Sequence, residues 1–219
     1  MSDVFVTGGN RGIGLEICRQ LCARGDTVIT TCRGNSGELA NLPVTCIEGV
    51  DVADPECGNV IREQLGDTEL DTIIHNSGIL TRESLEEMDF ERIQAQFTVN
   101  TLGPLRVILA LLDNIRDGGR IGILSSRMGS IEDNTSGGRY GYRISKAGVN
   151  ALGKSLSVDL APRDIAVALL HPGMVATEMT GRQGIEPAQA AAGIIAIMDD
   201  LDLAKTGGFF HAEGYALPW

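Results

Sequence analysis

Aromatic side chains are scarce, at 4 % of the 219 residues. A single-strand binder stacks bases on aromatic rings, and this chain has too few for such a platform. Basic residues are in deficit as well: 18 Lys and Arg stand against 29 Asp and Glu, a net charge of −11. Nucleic-acid phosphates call for a clustered basic face, so no nucleic-acid partner is expected. No apolar run approaches the ~20 residues of a membrane span, so no membrane partner is expected either. The opening Met1-Ser2-Asp3-Val4-Phe5-Val6-Thr7 has no basic stretch followed by an apolar one and no cleavage site, which makes a cytoplasmic location the expectation. Cysteine gives no framework: there are five, an odd number, with no CxxC. Cys18 and Cys22, four apart on a helical pattern, read as small buried hydrophobes. The three histidines, His75, His171 and His211, are scattered, and no metal site is expected.

What the chain has in excess is glycine, 28 residues of 219, well above the usual ~7 %. Those glycines belong in turns or where backbone closely approaches something. Hydrophobic residues at 43 % and charged ones at 21 % are ordinary for a folded protein. The length suits one domain, 1–219, large enough to stand without staples. No linker, repeat or low-complexity tract divides it.

Short β-branched runs alternate with helical patterns. Strands are expected at Asp3–Thr7, Thr27–Cys32, Val44–Gly49, Asp71–His75, Arg120–Ser125, Ile165–Leu170 and Gly207–His211. Helices are expected at Gly12–Ala23, Pro55–Leu65, Glu83–Phe90, Ile93–Ile115 with a break at Gly103-Pro104, Tyr142–Leu160 and Pro187–Leu201. Such alternation predicts an α/β fold: one doubly wound Rossmann domain, with a parallel sheet of about seven strands covered by helices on both faces. A ligand should lie beyond the carboxyl ends of the strands.

Directly after the first strand comes Thr7-Gly8-Gly9-Asn10-Arg11-Gly12-Ile13-Gly14, and then a helix. In that context Gly8 permits a tight turn, Gly12 a close approach to a pyrophosphate, and Gly14 close packing of helix on strand. The helix N-terminus offers free N–H groups to phosphates. The spacing is GxxxGxG, not the GxGxxG of the common dinucleotide fingerprint, and a plain βα loop is the alternative. The second strand ends on Arg33 where an acidic residue would bond a ribose hydroxyl. Arg33 and Arg11 together are suited to clamp a 2′-phosphate, which favours NADP over NAD.

Tyr142 and Lys146 stand four apart at the head of a helix, on one face. A free phenol titrates near pH 10 and is a poor acid at neutral pH. A nearby ammonium favours phenolate and lowers that value, as a general acid requires. The alternative is an i,i+4 surface pair. Tyr140 has no lysine at this spacing. Ser125 and Ser126 reach the carboxyl edge of the fifth strand, as substrate-binding hydroxyls or as turn formers. Asn100 lies within helical pattern, where asparagine is disfavoured. It is either a satisfied kink or a positioned polar group. His75-Asn76-Ser77-Gly78 closes the fourth strand and His171-Pro172-Gly173 the sixth, with Thr177 following.

Together these residues resemble the short-chain dehydrogenase/reductase family over nearly the whole chain. Thr7-Gly8, Gly12 and Gly14 resemble its TGxxxGxG cofactor turn, taking in Asn10, Arg11 and Ile13. Asn76-Ser77-Gly78 resembles its NAG segment, with His75 where asparagine is usual and Ser77 where alanine is. Asp51-Val52 resembles the segment that holds the adenine. Asn100, Ser126, Tyr142 and Lys146 fall in the order of its catalytic tetrad. Pro172, Gly173, Val175 and Thr177 resemble the segment that holds the nicotinamide amide. The compact C-factor-like and sniffer-like carbonyl reductases are the nearest in pattern. Fifteen residues separate Ser126 from Tyr142, somewhat more than is common, so Ser125 stays an alternative partner. Glu178–Glu186 is short where larger relatives carry a lid, which implies an open pocket.

The resemblance implies a sheet order of 3-2-1-4-5-6-7 and hydride transfer between NADP(H) and a carbonyl or alcohol carbon of a small-molecule substrate. Tyr142 would be the acid, Lys146 would lower its pKa and bond the ribose, Ser126 would polarise the substrate oxygen, and Asn100 would hold a proton-relaying water. A homodimer through the helices over Leu102–Ile115 and Tyr142–Leu160 is expected from relatives. Two alternatives stand beside this enzyme: a non-catalytic NADP(H)-binding sensor or signalling protein on the same fold, and a doubly wound methyltransferase. Arg33 argues against the second, because such an enzyme wants an acid there.

Overall fold

Seven strands form one wholly parallel sheet in the computed structural model, which describes residues 1–219. They are β1 (Asp3–Thr7), β2 (Thr27–Thr31), β3 (Val44–Ile47), β4 (Leu70–His75), β5 (Ile115–Leu124), β6 (Ala166–His171) and β7 (Gly208–His211). Their order is β3-β2-β1-β4-β5-β6-β7. The order reverses beside β1, so the crevice between the ends of β1 and β4 is the place for a ligand.

Six helices cover the sheet: α1 (Gly12–Arg24), α2 (Cys57–Leu65), α3 (Phe90–Phe97), α4 (Gly103–Leu111), α5 (Tyr140–Asp159) and α6 (Pro187–Asp199). Side-chain alternation along each strand feeds two cores. Phe5, Val167 and Leu169 pack against Ile61, Ile108 and Val149 from α2, α4 and α5. Val4, Val6, Ala168 and Leu170 pack on the other face, against Ile17 and Leu21 of α1 and Ile194 and Met198 of α6. Strands buried on both faces read as continuous apolar runs, which is why β4 and β6 are so apolar.

Two expectations need correction. Residues 83–89 are not helical; the helix begins at Phe90. Asp89 caps it by accepting from the Arg92 N–H at 3.0 Å, and Ser84 takes the Glu87 N–H at 3.1 Å. Short polar side chains that bond nearby backbone divert it from the helix. Nor does Gly103-Pro104 break the next helix. α3 runs through a π turn, Thr98–Leu102, into α4. Pro104 lies in the first turn of α4, where its missing N–H costs little. Gly103 is needed for packing, since a Cβ there would stand 3.0 Å from Val52. The expected helix also ran too far, because Ile115 already pairs with Leu70 as the start of β5.

No helix is long and apolar enough to cross a membrane.

Candidate active site

The glycine turn is held from behind by β4. Thr7, fully buried, accepts from the Asn76 and Ser77 N–H groups at 3.0 and 3.1 Å through its hydroxyl. Asn76 Nδ2 donates to the Thr7 and Gly8 carbonyls, both at 3.1 Å. Gly8 and Gly12 take φ of +68° and +55°, which disfavour any other residue. A Cβ at position 14 would lie 2.2 Å from the Gly8 carbonyl oxygen, so Gly14 lets helix and turn meet. Arg11 at the N-cap of α1 makes no side-chain cap, which leaves the first N–H groups of the helix to a ligand.

These elements border a groove of about 1070 Å³. Gly8, Asn10, Arg11, Gly12 and Ile13 form its floor. Arg33, Asp51 and Val52 line one end, and Asn76, Ser77 and Gly78 the middle. Thr177 stands opposite Gly12, its methyl 3.3 Å from where a Cβ would be. Thr7 and Gly14 support the groove from behind, and Val175 is buried, bridging Ile185. Pro172 and Gly173 turn the chain after β6, with Gly173 at φ +83°. The segment after Thr177 is one short 3₁₀ turn, Glu178–Thr180. Arg11 pairs with Glu178 at 2.9 Å across the groove, leaving Arg33 as the arginine without that engagement.

The four residues expected as a tetrad converge beyond β4 and β5. Tyr142 and Lys146 are both buried on one face of α5. Lys146 Nζ lies 5.8 Å from the Tyr142 ring centroid and donates to the Leu124 carbonyl at 2.8 Å. Ser126 accepts from the Met128 N–H at 3.1 Å and is hydrogen-bonded to the Tyr142 phenol. Ser125 is turned away and donates to Asn150 at 2.5 Å, so of the two serines Ser126 is the one at the phenol. Gly78 joins quartet and groove: a Cβ there would lie 3.2 Å from Asn100 Oδ1 and 3.8 Å from Lys146 Nζ.

Asn100 sits in the π turn with both amide hydrogens engaged. It accepts from Ile79 N at 2.8 Å and donates to Ile79 O at 2.9 Å and to Ser145 at 3.0 Å. The side chain therefore ties the loop after β4 to α5, with both amide hydrogens in use. Burial pushes Tyr142 above its ordinary value, while the Ser126 hydrogen bond and the Arg139 charge pull the other way. Burial brings the Lys146 ammonium down to about 8. A charge taken from water costs more than its neighbours return here.

Sequence reasoning missed several contributors. Glu83 is buried and accepts from Gln96 Nε2 at 3.1 Å and from the Gly141 N–H at 3.3 Å, while its carbonyl accepts from Arg139 N at 2.9 Å. It thus clamps the head of α5 one residue before Tyr142. Gly129 lets the loop after β5 cross α5, since a Cβ would meet the Lys146 backbone at 2.6 Å. With four acidic residues among 83–89, the sequence carried no signal that one carboxylate turns inward.

A short chain dehydrogenase family model matches residues 2–187. The chain belongs to the short-chain dehydrogenase/reductase family. Among curated relatives, a 1-hydroxy-2-glutathionyl-2-methyl-3-butene dehydrogenase of Rhodococcus sp. (strain AD45) is 41 % identical over the full length of both chains. C-signal of Myxococcus xanthus is 40 % identical over 68 % of this chain and 93 % of its own. Among solved structures, the carbonyl reductase Sniffer of D. melanogaster superposes with a TM-score of 0.90 at 28 % identity, covering all of both chains. The NADPH-bound carbonyl reductase from chicken fatty liver gives 0.90 at 27 %, covering 100 % of this chain and 99 % of that one. The chain is an oxidoreductase of the C-factor-like and sniffer-like kind.

Proposed function

We propose that this enzyme transfers hydride between NADP(H) and a carbonyl or alcohol carbon, with Tyr142 as the acid–base group. The observation that carries this is the buried phenol, bonded to Ser126 and four residues from Lys146, at the inner end of a groove floored by glycines. The cradle suits a dinucleotide: where any Cβ would fill the turn at positions 8, 12 and 14, there is none. Gly8, Gly12 and the first turn of α1 hold the pyrophosphate, Arg33 the 2′-phosphate, Asp51 and Val52 the adenine, and Thr177 the amide end. When bound, NADP(H) supplies or accepts the hydride.

In reduction, Ser126 donates a hydrogen bond to the substrate carbonyl oxygen and Tyr142 gives that oxygen its proton, leaving an alcohol and a tyrosinate. Lys146, held by the Leu124 carbonyl, places a positive charge beside that tyrosinate. Oxidation runs the same transfers backwards. Asn100 and Glu83 are positioning residues for the loop and helix that carry them. Tyr142→Phe keeps the ring and removes the proton, so NADPH-dependent turnover of a good carbonyl falls roughly 10²–10⁴-fold with cofactor binding intact. Unchanged turnover overturns the assignment. The Rhodococcus relative's name makes a glutathionyl alcohol a first substrate to try in the oxidative direction.

A homodimer is part of the same reading. Phe97, Leu109, Ile144 and Val158 leave apolar surface exposed along α3, α4 and α5. Sedimentation at micromolar concentration tests it.

A second reading has one observation in its favour, the relative named C-signal. On that reading the protein binds NADP(H) as a signalling protein and turns nothing over. NADPH binding by calorimetry with no turnover across a broad carbonyl and alcohol panel would favour it.

A further inference from the structure

The ends of β2 and β3 bring together side chains that the sequence holds apart. The two strands pair in parallel, with Thr30 opposite Cys46 and Thr31 opposite Ile47. Cys32, one residue past β2, therefore meets Cys46 on β3, and their sulfurs stand 3.6 Å apart. Glu48, one residue past β3, adds a carboxylate, and the three ligand atoms all lie within 4.8 Å of one another. Cys32 is buried and Cys46 half-buried, while Glu48 is exposed, so the cluster has a way in from solvent.

The sulfur separation is compatible with a metal site. A disulfide brings its sulfurs to ~2.05 Å. A tetrahedral cation with metal–sulfur bonds of ~2.3 Å holds two thiolates roughly 3.8 Å apart, the edge of that tetrahedron. The observed 3.6 Å is the contact distance of two thiols sharing a hydrogen, and it falls within ~0.2 Å of that edge, so loading needs little movement. The ligands are also soft enough to select such an ion over magnesium or calcium.

We infer that Cys32, Cys46 and Glu48 form a binding site for a thiophilic divalent cation of the zinc type, on the outer wall of the dinucleotide groove. On loading, two S–H bonds break and two metal–sulfur bonds form; both protons leave to solvent, and nothing is oxidised or reduced. One carboxylate oxygen of Glu48 takes the third position and water the fourth. The Cys32 thiol now donates to the Gly34 carbonyl at 2.8 Å, and that bond is given up. The Ser36 N–H already holds Glu48 Oε1 at 3.1 Å, so the other oxygen is the one available.

The site stands apart from the proposed hydride transfer and is tested apart from it. Cobalt(II) is titrated into the reduced full-length protein, and the thiolate-to-cobalt charge-transfer absorbance is followed. The expected result is a band that saturates at one cobalt per chain and bleaches when zinc is added, since zinc binds such sites more tightly. Cys46→Ser abolishes the band. Glu48→Gln, an exposed change that leaves the fold alone, weakens cobalt binding roughly tenfold or more. NADPH turnover without metal is unchanged in both variants. No band in the wild-type protein overturns the inference. So does a band undiminished by Cys46→Ser, which would assign the metal to Cys18, Cys22 or Cys57.

Discussion

The two ends of the cleft are made by different means. The cofactor end is mostly backbone: a turn with positive φ at Gly8 and Gly12, and side chains missing where a Cβ would collide. Its supports, the Thr7 hydroxyl and the Asn76 amide, tie β1 to the adjacent β4. The end proposed to be catalytic is mostly side chain. Tyr142, Lys146, Ser126 and Asn100 are buried polar groups; Lys146 is held by the Leu124 carbonyl and Asn100 by Ile79 and Ser145. The first kind of site is specified by what is absent, the second by satisfied hydrogen bonds. Loss of one bond in the second leaves a buried group unpaired, which costs about 1–3 kcal/mol. The catalytic end is accordingly the more fragile of the two.

Substitutions at neighbouring serines sharpen that contrast most. Ser126→Ala removes the hydroxyl bonded to the phenol, and kcat is expected to fall roughly 10²–10³-fold, as when one oxyanion donor is lost. Ser125→Ala leaves kcat within a few-fold and instead lowers stability, because Asn150 loses the partner held at 2.5 Å. Steady-state kinetics beside denaturant melts separate the two. A reversed pattern would mean that the substrate oxygen sits at Ser125. At the cofactor end the expected effect is smaller. Arg33→Ala raises the Kd for NADPH roughly tenfold and leaves that for NADH unchanged, since only the 2′-phosphate is lost as a partner. Arg11, engaged by Glu178, contributes less, and calorimetry on both variants ranks them.

Legibility in the sequence followed the same division. The glycine turn is local, and β1 and α1 could be read from spacing and strand pattern, while the sheet order came from the family resemblance. Tyr142 and Lys146 were readable because helical spacing alone puts them on one face. Glu83 was not, since its partners Gln96 and Gly141 come from α3 and α5 and nothing nearby requires an inward carboxylate. The π turn around Asn100 was hidden for a related reason. Its extra residue answers to Ile79 and Ser145, not to any pattern within the helix. The Cys32–Cys46 approach depends on the β2–β3 register, which a count of cysteines cannot supply.

His75 lies at the seam between the two ends, next to Asn76 in sequence and under the charge of Lys146. It is fully buried, its Nε2 has no partner, and burial lowers its pKa from 6.5 to about 3. The folded state therefore keeps this ring neutral over a range where the unfolded chain protonates it. Between pH 6.5 and about 3 the unfolded state binds more protons, so stability is present above 6.5 and is lost as pH falls. The slope is at most about 1.4 kcal/mol per pH unit for each such group. His171, lowered to about 4 by burial, adds a similar contribution over its own window. His75→Asn replaces the ring with the residue usual in the family and removes one of the two contributions. Chemical denaturation at pH 7 and pH 5 is expected to show the variant losing roughly 2 kcal/mol less than wild type across that interval. Parallel losses in the two proteins would mean that acid sensitivity arises elsewhere and that the seam tolerates a charge.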